Sequence, residues 1–208
     1  MSLRDRKIVV TGGPTREWID PVRYISNASS GKMGMALADA AYARSKDTVF
    51  IHGPIDASQL AGRPYRTLAV ESTEDLLRAV MGEISGDAVL IMAAAPADYR
   101  FAETSDRKLK KDHGAPLLLT LVENPDVAKA VAARRQEGQT LVGFAAETHD
   151  TLANAREKLI AKKLDMIVAN DVTREGAGFG TDTNIATIIT AQGETECPLM
   201  TKRELAER

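Results

Sequence analysis

Hydrophobic positions fall into short β-branched runs separated by Ala- and Leu-rich stretches with helical spacing. Lys7–Thr11 (KIVVT) closes on Gly12-Gly13-Pro14 and reads as a buried strand and a turn. Met33–Arg44 has the pattern of a helix. Thr48–His52 is a second strand, closed by Gly53-Pro54, and Tyr65–Val70 a third. Residues 72–84 predict a helix with Ser72 or Thr73 as N-cap and acids in its first turn. Ala88–Ala95 is a fourth strand that ends on small residues. Phe101–Pro116 is polar and Lys-rich, with KLKK at Lys108–Lys111, and reads as an arm or loop. Pro116–Val122 alternates as a strand. NPDVAKAVAARR predicts a helix with Asn124 as cap and Pro125 at its first position. TLVGFAAET is a strand, LANAREKLIAKKL an amphipathic helix, MIVAN a strand, and NIATIIT the start of a terminal hairpin. Strands alternating with helices indicate an α/β fold with a mostly parallel sheet.

Composition narrows the function classes. The 208 residues suit one large domain or a domain with a subdomain, and we expect a single domain over 1–208. The net charge of −2 gives no global basic field, so nucleic acid is not an expected partner. The lone Cys197 cannot form an intrachain disulfide and reads as an ordinary strand residue, which suits a reducing cytoplasm. No apolar run approaches the ~20 residues of a membrane span, and no signal-peptide pattern opens the sequence. Ser2-Leu3 suits a cloning prefix and TKRELAER stops inside a helical pattern, so an excised piece of a longer protein is one expectation and a free-standing enzyme the other.

In open α/β sheets, ligands bind beyond the carboxyl ends of the strands. Small or polar residues cluster at four such ends here: GGPT with SNASSGKMG, AAAPADYR, AAET and NDV. Ser29, Ser30, Gly31 and Gly34 surround a helix start, which makes either a phosphate cradle or a Ser-capped helix with a glycine for close packing. The stretch is no Walker A loop, because Ser26 stands where the first Gly belongs, and GGPTRE lacks the GxGxxG spacing. KLKK is either a solvated run or a set of point charges for a triphosphate. Lys158 and Lys162 share one helix face. His52, His113 and His149 have no metal-ligand spacing and form no acyl-transfer triad, and the metal ligands stay unassigned. Asp98 follows an apolar strand, where an acid binds Mg²⁺ or a ligand hydroxyl or caps a turn.

Several motifs together resemble phosphopantothenate–cysteine ligase: TGGPTREWIDPVRYISNASSGKMG, AAAPADYR, KLKK, NPDV, VGFAAET, KLIAKKLDMIVANDV and GFGTDTN, in this order. The resemblance implies a Rossmann-like, mostly parallel sheet with helices on both faces, a Lys-rich arm and a small terminal β-hairpin. It implies a CTP-dependent ligase of coenzyme A biosynthesis that joins 4′-phosphopantothenate and L-cysteine. The route passes through an acyl-cytidylate, with Mg²⁺ assisting, and releases pyrophosphate and CMP. Asn27 matches the residue that contacts phosphopantothenate and the intermediate. Ser29, Gly31 and Gly34 match the triphosphate cradle, and Met92, Ala93, Ala94 and Asp98 the base and sugar side. Lys108 matches the lysine that closes over the site. Pro125, Asp126, Val127, Ala128, Phe144, Lys158 and Lys162 complete the nucleotide set, with Asn170 a weaker candidate. Pro96 replaces a frequent Val, which bears on the loop that carries Asp98, and the C-terminus looks short for the last helix.

The resemblance further implies a cytoplasmic homodimer. Bacterial members are usually fused behind a flavin-dependent decarboxylase, so a fused or separate decarboxylase is an expected partner and no flavin is expected in this chain. Two other readings compete. A nicotinamide-dependent reductase would want GxGxxG after the first strand and an acid closing the second, where His52-Gly53-Pro54 stands. A non-catalytic nucleotide-binding module would be favoured by loss of Asn27 or Lys108, and both are present.

Overall fold

Buried parallel strands need apolar residues on both faces, and the runs identified above satisfy this. A computed structural model describes residues 2–111, 114, 116–147, 149–174, 176–178 and 180–208; His113, Thr148 and Phe179 of the motifs above lie outside them. Among the described residues, β1 (Ile8–Gly12), β4 (Thr48–His52), β5 (Arg66–Ala69), β6 (Val89–Met92), β9 (Thr140–Glu147) and β10 (Met166–Asp171) are parallel. The antiparallel hairpin β11 (Thr183–Thr190) and β12 (Gly193–Thr201) extends the edge at β10. The sheet order is β12-β11-β10-β9-β6-β1-β4-β5. Counting only the parallel strands in chain order gives 3-2-1-4-5-6, the doubly wound order whose switch point lies between strands 1 and 4. Here those are β1 and β6.

Alternation along β1 assigns the two faces. Val10 joins Ile8, Phe50 and, from α1 (Lys32–Arg44), Met35 and Ala38. Val9 joins Ile51, Leu90 and Leu141 under α2 (Thr73–Glu83) and α3 (Val127–Ala133). On that second face α4 (Thr151–Ala161) adds Ala155 against Ile167. The last helix, α5 (Lys202–Glu207), is closed by a capping box between Thr201 and Glu204. It docks through buried Leu205 beside Cys197.

Helix α1 is pressed onto the end of β1. A Cβ on Gly34 would lie 2.6 Å from the Gly12 Cα, and backbone cannot yield as a flexible side chain can. Gly34→Ala should therefore cost ~1–3 kcal/mol of overpacking and lower the melting point by roughly 2–12 °C. An unchanged calorimetric melt would contradict this close approach.

Two expectations need correction, and one element was not anticipated. Residues 116–122 do not form a full strand: β8 covers Leu121–Glu123 because its partner, β7 (Tyr99–Phe101), is equally short. Asn124 does not cap α3. Its Nδ2 donates instead to the Ala97 carbonyl at 2.9 Å, and Asp126 is the cap, accepting from the Lys129 N–H. An unforeseen hairpin, β2 (Arg16–Asp20) with β3 (Arg23–Ser26), occupies the stretch of sequence between β1 and α1 and packs on β7.

Candidate active site at the switch point

The hairpin β2–β3 replaces the tight turn that a dinucleotide-binding fingerprint requires after the first strand. It delivers Asn27 to the end of β6, where Nδ2 donates to the carbonyls of Pro96 (2.9 Å) and Ala95 (3.3 Å). A buried network fixes the same loop. Glu17 accepts from the N–H and hydroxyl of Thr73 (2.9 and 2.8 Å), Thr15 accepts from the Ala97 N–H (2.9 Å), and Asn124 holds the Ala97 carbonyl. The segment leading to Asp98 is thus tied to β2, α2 and the entry to α3.

The α1 N-terminus bears on both readings of SNASSGKMG: Gly34 is a close-packing glycine, but the serine cap is missing. Gly31 is the N-cap, in left-handed backbone with φ 76°, and no side chain caps the helix. The first-turn N–H groups therefore lack the serine cap of the plainer reading, which suits an anion cradle.

Two cavities meet at this switch point. One, of about 430 Å³, is lined by Asn27, Ser29, Ser30, Gly31, Gly34, Ala93 and Asn170. The other, of about 530 Å³, is lined by Met92, Pro125, Asp126, Val127, Ala128, Lys158 and Lys162. Ala94, Pro96, Asp98 and Phe144 line both and form the shared wall. Every anticipated site residue except Lys108 thus lines one cavity or both. Lys108 is exposed on the arm and lines neither. Its neighbour Leu109 is anchored: the Leu109 N–H donates to Asp20 at 3.1 Å and its carbonyl accepts from Arg23 at 3.0 Å. The Arg23 guanidinium, with the N–H groups of Val22 and Leu109, holds the buried Asp20 carboxyl well below the usual carboxylate range. That contribution is present above the unfolded pKa of ~3.9 and is lost only as pH falls through the lower folded value, so the anchor persists into acid.

The cations at the larger cavity are engaged. Lys158 pairs with Glu147 at 2.6 Å and Lys162 with Asp126 at 2.8 Å. Burial opposes ionisation of Asp126, but Lys162 and the N–H groups of Lys129 and Ala128 outweigh it and hold the carboxyl below its ordinary range. The backbone donors of the β6 end are also spent. Ala93 N–H bonds the Thr11 carbonyl (3.2 Å), Ala94 N–H the Thr11 hydroxyl (3.2 Å) and Ala95 N–H the Gly13 carbonyl (2.9 Å).

Sequence reasoning missed two lysines that line the smaller cavity. Lys32, inside the GKMG stretch, was there to be read; it reaches Asp182 at 2.7 Å and the Gly180 carbonyl at 2.8 Å. Lys202 gave no signal, because its partners lie about twenty residues upstream. Its ammonium donates to the carbonyls of Gly178, Thr181 and Thr183. Burial pushes the Lys202 pKa down, Lys32 adds repulsion, and Asp182 opposes both. Among the described residues, no group of three or more His, Cys, Asp or Glu side chains is placed to hold a metal ion. Likewise, no helix is long and apolar enough to cross a membrane.

A doubly wound sheet with a two-compartment crevice at its switch point defines a ligand-binding class of α/β domain. The chain belongs to the DNA/pantothenate metabolism flavoprotein C-terminal domain family, whose model it matches over residues 3–208. It is 43% identical over 205 residues to the coenzyme A biosynthesis bifunctional protein CoaBC of Vibrio vulnificus (strain CMCP6), an alignment that covers 98% of this chain and 51% of that protein. The chain therefore spans about half the length of the curated relatives it matches. It resembles the crystal structure of the C-terminal domain of a CoaBC protein with a TM-score of 0.77 and 36% identity, covering 98% of this chain and 91% of that one. The fold recurs, with a TM-score of 0.78 at 14% identity, in a Cab2 mutant complexed with phosphopantothenate-cysteine, over 97% of this chain and 84% of that one.

Proposed function

We propose that this chain is the phosphopantothenate–cysteine ligase unit of coenzyme A biosynthesis. The observation that carries the reading is the shared wall. A carboxylate can attack the α-phosphate of a nucleotide only if both substrates lie within reach of one another, and two cavities that meet at Ala94, Pro96, Asp98 and Phe144 provide that approach. The larger cavity, with Lys158 and Lys162, takes the nucleotide. The smaller one, with Asn27, takes phosphopantothenate and the acyl group. Ser29, Gly31 and Gly34 line the smaller cavity and cradle the triphosphate where it reaches across the shared wall. The first step is attack on the α-phosphate with loss of pyrophosphate. The cysteine amine then attacks the acyl carbon, and CMP leaves.

Mg²⁺ fits this site as a companion of the substrate. It commonly binds through one or two carboxylates plus phosphate oxygens, and Asp98 on the shared wall is the carboxylate placed to hold it. When bound, it supplies charge neutralisation at the phosphates. The relatives named as bifunctional support a decarboxylase, fused or separate, as partner, with the flavin on that partner. The setting is the cytoplasm.

Pyrophosphate release with phosphopantothenate and each nucleotide in turn tests the activity. CTP is expected to turn over faster than ATP, and equal or greater turnover with ATP would overturn the choice of base. The active form is a twofold dimer. Support comes from the exposed Leu117, Leu118 and Leu119, an apolar run between the arm and β8 that a second copy would cover. Light scattering at micromolar concentration should return twice the chain mass, and a monomer mass would count against the dimer.

A further inference from the structure

Gly143 stands in the middle of β9, paired with Met92 of β6 and Ile167 of β10. Glycine inside a strand costs roughly 0.5–1 kcal/mol relative to alanine, and there it marks a bulge, a bend or a close approach. The β10 ladder runs through Gly143 and the β6 ladder ends at it, and its φ is not positive, so no left-handed backbone calls for glycine. Space does. A Cβ at this position would lie 2.6 Å from Leu164 Cδ1.

Gly143, Leu164, Met92 and Ile167 all line the larger cavity, and none carries a charge. The ammonium groups at that cavity belong to Lys158 and Lys162 of α4 and its C-cap. A nucleoside triphosphate has one polyanionic end and one flat, uncharged ring. The anionic end matches the lysines, which leaves the ring for the bare strand.

We propose that Gly143 sets the depth of the nucleotide cavity and so positions the ring of the nucleotide. Its missing side chain lets Leu164 lie against β9, and the ring of the nucleotide rests over the pair. A methyl group at position 143 drives the Leu164 δ-methyl into the space the ring occupies. The inference rests on the larger cavity being the nucleotide site.

The test is calorimetric titration of CTP into four proteins, each with its melting curve: wild type, Gly143→Ala, Gly143→Ala/Leu164→Val and Leu164→Phe. The double variant restores the methylene count and removes the colliding δ-carbon. Leu164→Phe fills the same space without touching the strand, and so serves where the glycine variant fails to fold. Gly143→Ala and Leu164→Phe should each weaken CTP about 10-fold or more while melting cooperatively, the scale of a misfit methylene in a pocket. The double variant should return to within about 3-fold of wild type. A folded Gly143→Ala or Leu164→Phe protein that binds CTP as wild type does overturns the proposal, as does a double variant that stays weak. Wild-type protein that binds no nucleoside triphosphate overturns the nucleotide reading and this inference together, whereas wild-type binding with unaffected variants overturns this inference alone.

Discussion

Asn27→Asp is expected to leave acyl-cytidylate accumulating and to slow amide formation by on the order of 10²-fold or more. Asn27 is neutral and donates to the Ala95 and Pro96 carbonyls across the mouth of the smaller cavity. A carboxylate there loses both donors and faces two carbonyl oxygens at 2.9–3.3 Å. The second half-reaction suffers most. As the amine attacks the acyl carbon, negative charge builds on the carbonyl oxygen, and a neighbouring anion repels it where an amide would not. The first half-reaction draws on cations that line the other cavity, so it should be less affected. Mass spectrometry of quenched reactions reads the intermediate directly. Normal completion of the amide by a folded Asn27→Asp protein would remove Asn27 from this role.

The parallel strands were legible because burial on both faces forces an apolar run. KIVVT and TVFIH match β1 and β4 within a residue at each end, and both strands are buried throughout. The candidate site was legible for a related reason. Strand ends and a helix start are local features that the doubly wound order gathers at one place, whereas Asn27, Met92, Pro125, Val127, Ala128 and Phe144 entered only through the family resemblance. Residues whose partners are distant in sequence were not legible. REWID and RYIS mix charged and apolar positions, because Glu17 and Asp20 are buried on Thr73, Arg23 and Leu109 rather than exposed. Asn124 has the local signature of a cap, and a tertiary carbonyl outcompetes the helix for it. Residues 116–122 alternate correctly, but a strand exists only where a neighbour offers a ladder, and β7 offers three residues. Lys202 has the same character: nothing near it in sequence announces the 178–183 loop that it holds.

Lys108→Gln is expected to slow formation of the acyl-cytidylate itself, again by on the order of 10²-fold or more, without accumulation of any intermediate. Attack of the carboxylate on the α-phosphate develops charge on the phosphate and pyrophosphate oxygens. Lys158 and Lys162 already share their charge with Glu147 and Asp126, which leaves demand for a further cation. Lys108 lies outside both cavities, one residue from the Leu109 anchor on Asp20. The anchor fixes the arm beside Lys108 on the β2–β3 hairpin, the same hairpin that delivers Asn27, and the role requires the arm to carry the ammonium to the shared wall. Two consequences separate this role from a purely structural one. Lys108 is exposed and Gln keeps a polar side chain, one atom shorter, so the melting curve should not move. Loosening the anchor by Asp20→Asn, which keeps the volume but removes the charge that holds Arg23 and Leu109, should reproduce part of the kinetic defect with Lys108 intact. Quenched-flow measurement of acyl-cytidylate decides the matter: formation at the wild-type rate by Lys108→Gln would show that the arm lysine has no part in the phosphate chemistry.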